Sequence, residues 1–114
     1  MTSFKLLFAA DALDDLTILY EYVASESSPE RGAEVLEQIQ EACAKLAHFP
    51  RRGRVPWEFE REGATDGREI VVDKFRVFYL VDGESVIVTA IVDGRRNLSE
   101  FLRQRFRRRP NPSG

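Results

Sequence analysis

A single cysteine, Cys43, and a single histidine, His48, stand in the 114-residue chain. One cysteine excludes an internal disulfide and fits a reducing compartment. One cysteine and one histidine do not make a zinc site, so no metal and no cofactor is expected. No hydrophobic run approaches the length of a membrane span, and no basic segment precedes the short apolar run at Phe4–Phe8, so a cytoplasmic protein without membrane contact is expected. Phosphate-cradling glycine loops and serine-nucleophile motifs are also missing. So are internal repeats and composition shifts that would divide the chain. Residues 1–107 read as one domain and 108–114 as a disordered tail.

What is present is distributed unevenly. The net charge is −2 and the isoelectric point about 5.5, which argues against a general nucleic-acid coat. Residues 1–50 carry three Lys/Arg against nine Asp/Glu, or −6, and residues 51–114 carry fourteen against ten, or +4. Seven arginines against Glu100 alone fall within 95–109. Such a block permits a focused contact with an anionic partner.

The chain is organised around residues 75–96. Two β-prone runs, Phe75–Val81 and Ser85–Val92, flank Asp82-Gly83, a strong hairpin signal because both residues tolerate positive φ. Phe75, Val77, Tyr79 and Val81 share one face; Phe78 and Leu80 share the other with Arg76. In the second run Val86, Val88, Ala90 and Val92 alternate with Ile87 and Ile91. Strands apolar on both faces belong in the middle of a sheet. Arg76 interrupts the pattern, and an arginine there must pair, snorkel or face a partner. The hairpin exits into Asp93-Gly94-Arg95-Arg96-Asn97, a cluster of guanidinium groups.

Upstream, Ser3–Phe8 reads as a strand. Ala12, Leu13, Leu16, Leu19, Tyr20 and Val23 recur at helical spacing to about Ser25, with Asp11, Asp14 and Asp15 at the positive end of the dipole. Glu26–Pro29 breaks the helix. Ser28 can cap a second helix with Pro29 at its first position; Ser27 with Glu30 is an alternative capping box. Leu36, Ile39, Cys43, Leu46 and Ala47 form the second apolar stripe, to about Ala47. The short connection makes an antiparallel helical hairpin. Residues 51–66 form a charged loop that Trp57 and Phe59 pin to the body, and residues 67–72 a further strand with a turn at Asp73-Lys74. Leu98–Arg107 gives a short C-terminal helix. The predicted class is α+β: an N-terminal strand, then an antiparallel helical hairpin on a small, mostly antiparallel sheet, in the order β-α-α-β-β-β, then the short helix. The place of Ser3–Phe8 in the sheet is open.

The ordered set Leu46-Ala47-His48-Phe49-Pro50-Arg51-Arg52-Gly53-Arg54, Gly67-Arg68-Glu69-Ile70, Phe75-Arg76-Val77-Phe78-Tyr79 and Asp93-Gly94-Arg95-Arg96-Asn97-Leu98 resembles the RelE/ParE superfamily of type II toxin–antitoxin toxins over residues 4–105. The resemblance implies a growth-inhibiting, plasmid-stabilising toxin neutralised by a cognate antitoxin, through which the complex contacts DNA. In the RelE-like branch the target is mRNA on the ribosome; in the ParE-like branch it is DNA gyrase. The long helical hairpin is like that of the ParE branch.

Chemistry separates the branches. Cleaving RNA through its 2′-hydroxyl needs a base, an acid and cations for the transition state. Arg76 and Arg96 match the two cationic positions of the RelE pattern and would be catalytic only there. The lysines of that pattern are replaced by Arg68 and Glu69, and its C-terminal tyrosine by Phe101 and Leu102. Arginine is a poor base. Two arginines without an acid–base pair look like an anion-binding surface, so Arg68, Arg76, Arg95 and Arg96 are expected to bind a partner or anion. The leading expectation is a ParE-like gyrase inhibitor; the alternatives are a RelE-like mRNA endoribonuclease and a non-toxic antitoxin-binding relative. The antitoxin is expected to place Asp/Glu near Arg76 and Arg96. Bland readings stand beside these: Arg76 paired with Glu69 or another acid, Arg68 in a cross-strand ion pair, Arg51-Arg52-Gly53-Arg54 as a solvated loop or antitoxin contact, Tyr79 and Cys43 as core.

Overall fold

The computed structural model describes residues 3–56 and 67–95 and, beyond them, Glu100, Phe101, Arg103 and Arg105. The expected roles of Trp57 and Phe59, Arg96, Leu98, Leu102 and the tail 108–114 lie outside the described residues.

The elements are β1 (Lys5–Phe8), α1 (Ala10–Glu26), α2 (Pro29–Leu46), β2 (Gly67–Val72), β3 (Phe75–Asp82) and β4 (Ser85–Asp93). They form the predicted α+β arrangement. The sheet order is β1-β4-β3-β2. β2, β3 and β4 make an antiparallel meander, and β1 adds in parallel to β4 with Lys5 opposite Ser85 and Phe8 opposite Val88. That settles the place of the first strand. Glu100, Phe101, Arg103 and Arg105 have helical backbone; the rest of the expected C-terminal helix lies outside the described residues.

The second helix starts for the reason the sequence suggested. Ser28 caps α2, its hydroxyl accepting from the Arg31 amide at 3.1 Å, with Pro29 at the first position. This selects Ser28 over the Ser27–Glu30 alternative. α1 has no side-chain cap; the Ala9 carbonyl accepts from Ala12 and Leu13, and the Ala9 amide donates to Val88 O at 2.9 Å, so the sheet holds its start. Val35, Ile39, Cys43 and Leu46 are the buried stripe of α2. Near the helical turn, a Cβ on Gly32 would stand 2.9 Å from the Tyr20 ring; glycine there lets the two helices close.

One face of the sheet packs on the helices through Val77, Tyr79, Val86, Val88, Ile91 and their neighbours. Phe78, Ala90 and Val92 lie with Phe101 on the other face. Strict alternation in β4 does not hold. The register jumps from Phe78 opposite Ala90 to Tyr79 opposite Val88, leaving Thr89 as a bulge. Its hydroxyl donates to Phe78 O at 3.3 Å. The bulge returns Ile91 to the helix side and turns Ala90 and Val92 away from Val88, against the simple period of two. The hairpin turn also differs. Asp82 pairs with Ser85, so the loop is Gly83-Glu84, and Gly83 alone takes positive φ, +59°. Glycine first in a two-residue loop suits the twist of the flanking strands.

Candidate functional site

The expected arginines lie on β2, β3 and the turn after β4. Arg76 on β3 faces away from the helices, on the side of Phe78. Its Nε donates to Glu69 Oε1 at 2.8 Å and its Nη2 to Glu69 Oε2, a two-pronged pair across neighbouring strands. The Glu69 side chain is fully buried and that of Arg76 is 13% exposed. The Arg76 guanidinium also lies 5.1 Å from the Phe78 ring centroid. Arg54 brings a third charge, its Nη2 standing 3.9 Å from Glu69 Oε1, and it bridges to the Glu69 backbone in both directions.

Arg68 sits opposite Tyr79, on the helix side of the sheet, so it does not share a surface with Arg76. Instead of the expected ion pair, its Nη1 donates to Gly53 O at 2.8 Å and reaches Arg51 O at 3.5 Å. Tyr79 is core, as expected, but its hydroxyl has a task. It donates to Pro50 O at 2.8 Å and accepts from Gly53 N at 2.9 Å. Burial pushes the Tyr79 phenol up, against the Gly53 amide and the Arg68 and Arg52 charges. Arg95 folds back on its own turn: Nε and Nη2 donate to the two Asp93 carboxylate oxygens at 3.1 and 3.0 Å. That bond chiefly holds the Asp93 carboxyl below its usual range. Arg96 lies outside the described residues.

Two charged residues escaped sequence reasoning. Asp15, assigned to the helix dipole, is buried. Its Oδ2 accepts from Ile91 N at 2.9 Å and its Oδ1 from Arg105 Nη2 at 2.8 Å. Arg105 Nη1 in turn donates to Thr89 O at 3.1 Å, and its guanidinium lies 4.6 Å from the Phe101 ring centroid. β1 ends its pairing at Phe8, and this ion pair serves the β4 backbone groups beyond it, at the bulge. The signal was available: Asp15 follows Ala12 and precedes Leu19 on the buried stripe of α1.

The Lys74 and His48 side chains lie away from Arg76. Lys74 Nζ lies over the Tyr22 and Phe75 rings at 5.5 and 5.7 Å. His48 Nδ1 is 3.4 Å from Ser3 Oγ. The Cys43 thiol is wholly buried and pushed up to about 11 by desolvation, as suits a core residue. Among the described residues no group of three His, Cys, Asp or Glu is placed to hold a metal ion.

The family model of the ParE toxin of type II toxin–antitoxin systems, parDE, matches residues 6–98. The chain belongs to the ParE toxin family. A curated relative, toxin ParE3 of Caulobacter vibrioides, is 30% identical over 89 residues, which cover 77% of this chain and 84% of the relative. Among solved structures, a chain of a chromosomal ParDE toxin–antitoxin system from P. aeruginosa superposes with a TM-score of 0.68 at 17% identity, over 82% of this chain and 98% of that one. A double arginine mutant of E. coli toxin RelE in the free state gives 0.63 at 19% identity, over 93% and 97%. The ParE-family fold seen here is thus shared with RelE. Among the described residues no helix is long and apolar enough to cross a membrane.

Proposed function

We propose that this ParE-family chain arrests bacterial growth by binding DNA gyrase in the cytoplasm, without covalent chemistry of its own, and that a cognate antitoxin neutralises it. The observation that supports binding over catalysis is the Arg76–Glu69 pair. A guanidinium fork held by a buried carboxylate is already committed. Moving Arg76 onto a scissile phosphate would leave the buried Glu69 with only the exposed Arg54, at 3.9 Å, to balance it, at a cost of up to about 3–5 kcal/mol. A cation recruited to a transition state at that cost gives back much of what it contributes. Lys74 and His48 bond elsewhere, and the Glu69 carboxylate beside Arg76 is occupied by the guanidinium it holds.

The RelE-like reading, an mRNA endoribonuclease acting on the ribosome, draws on Arg76 at the matching strand position and on the likeness in fold. It needs Arg76 and Arg96 as transition-state cations. Supercoiling by purified gyrase, titrated with antitoxin-free protein, separates the readings. Inhibition with trapped, cleaved DNA is the expected result. Unaffected gyrase, with a folded protein that still arrests growth and yields cleaved mRNA ends on ribosomes, overturns it. A folded protein that arrests no growth at all leaves a non-toxic antitoxin-binding relative.

A further inference from the structure

The loop after α2 is held with unusual firmness for a stretch that carries three arginines. Tyr79, 0% exposed, commits both its donor and its acceptor to this loop, at Pro50 O and Gly53 N. Arg68 fixes Gly53 O, and Arg54 exchanges two backbone bonds with Glu69 at 3.1 and 2.8 Å. Gly53 approaches so closely that a Cβ would lie 2.5 Å from Glu69 O. The backbone from Pro50 to Arg54 is therefore preset, and so are the starting points of its side chains.

Those side chains point outward. Arg51, Arg52 and Arg54 are exposed. Among the described residues no carboxylate lies within ion-pair distance of Arg51 or Arg52, and Arg54 reaches Glu69 only at 3.9 Å. Apolar groups flank the charges. Phe49, 60% exposed, lines a shallow depression with Arg51 and Arg52. On the other side Arg52 and Arg54 border a groove of about 390 Å³ between α2 and β2, lined also by Lys45, Glu41 and the exposed Val71.

We infer that the loop Pro50–Arg54 is a docking surface for a short acidic segment of the antitoxin, with carboxylates on Arg51, Arg52 and Arg54 and apolar residues against Phe49 and Val71. The inference rests on the toxin reading above. It moves the acidic contact away from Arg76, whose fork is held by Glu69. Guanidinium forks match carboxylates two-pronged, and a preset loop loses little freedom on binding. A long phosphate backbone fits less well. The whole chain is net negative, and Glu41 lies in the same groove, so charge repulsion grows as a polyanion extends past the arginines.

Fluorescence anisotropy with the full chain and a labelled Leu-Asp-Glu-Asp-Glu-Leu peptide tests this at low and moderate salt. Arg51→Glu combined with Arg52→Glu alters two exposed side chains and is expected to weaken peptide binding about tenfold or more. Lys5→Glu, exposed on β1, is expected to leave it unchanged. Tyr79→Phe, checked for folding by circular dichroism, is expected to weaken it in part by loosening the loop. No binding by the native chain, equal binding by the double variant, or tighter binding of a short oligothymidylate each overturns the inference, the last in favour of nucleic acid. Peptide binding does not require toxicity. Growth arrest on overexpression therefore tests the toxin reading separately.

Discussion

Arg76 and Glu69 are best understood as one unit. Neither belongs on a buried sheet face by itself, and each makes the other admissible. Arg76→Ala should therefore destabilise the protein by up to about 3–5 kcal/mol, because the buried Glu69 keeps only the exposed Arg54, at 3.9 Å, as a counter-charge. Combining it with Glu69→Gln should recover a large part of that loss. Urea unfolding of the two single variants and the double variant measures the coupling. A loss of toxicity in Arg76→Ala alone does not identify a catalytic group; the double variant distinguishes a folding defect from a missing contact. Cys43 makes a second prediction at this scale. Its folded thiol is raised from 9.0 to about 11 by burial. The neutral form is favoured in the fold, so its contribution is fully present below pH 9 and is lost as pH rises through about 11. Cys43→Ala should flatten the fall in stability across that window, read from urea midpoints at successive pH values. The variant also loses some packing volume, which lowers its stability at every pH alike.

At the scale of elements, turns and strand edges decide the outcome. Gly83 has positive φ but open space around its missing Cβ, whereas Gly53 lacks positive φ and has a backbone oxygen 2.5 Å away. The two glycines should respond differently. Gly83→Ala should cost about 1 kcal/mol from backbone strain. Gly53→Ala should cost more, because Glu69 O and the Tyr79 hydroxyl must both shift and Tyr79 lies in the core. Thermal unfolding of the two variants tests the order. Strand β4 presents another element-level device. Past Phe8 it has no β1 partner, and Asp15 and Arg105 take the places of a strand's acceptor and donor at Ile91 N and Thr89 O. Asp15→Ala should expose the Ile91 amide to faster hydrogen exchange and leave Arg105 without its closest carboxylate. A double-mutant cycle with Arg105→Ala should give a coupling of about 1–3 kcal/mol. Additive losses would mean that Asp11, 3.6 Å from Arg105 Nε, holds the guanidinium equally well.

Across the whole molecule the charge is divided between the two halves of the chain, −6 in residues 1–50 and +4 in residues 51–114. The two helices carry nine acids against Arg31 and Lys45, and most of the arginines fall in the sheet, its loops and the C-terminal segment. A field divided in this way steers an oppositely patterned partner and weakens with salt. Association of the chain with its antitoxin should slow by about tenfold or more as salt rises from low to physiological concentration, while dissociation changes less. Stopped-flow measurements at several ionic strengths check this. A salt-insensitive on-rate would assign recognition to apolar contacts alone.

The elements, their order and the helical hairpin were fixed by patterns local in sequence: apolar spacing of two or of three to four, a serine before a proline, glycine in a two-residue turn. These depend on neighbours a few residues apart, so one chain is enough to read them. The side of the sheet on which each β4 residue lies was not local. It depended on the bulge at Thr89, which a period of two does not reveal. Tertiary structure alone decided the rest. It set β1 beside β4, gave Asp15 a backbone amide and Arg105 as partners, and spent the Tyr79 hydroxyl on the loop after α2. It also placed Arg68 and Arg76 on opposite faces. Arginine's long side chain reaches in several directions, and which acceptor it finds depends on segments far apart in the chain. A list of arginines in sequence therefore identified where charge gathers, but only the fold could show which charges are already paired and which stand exposed.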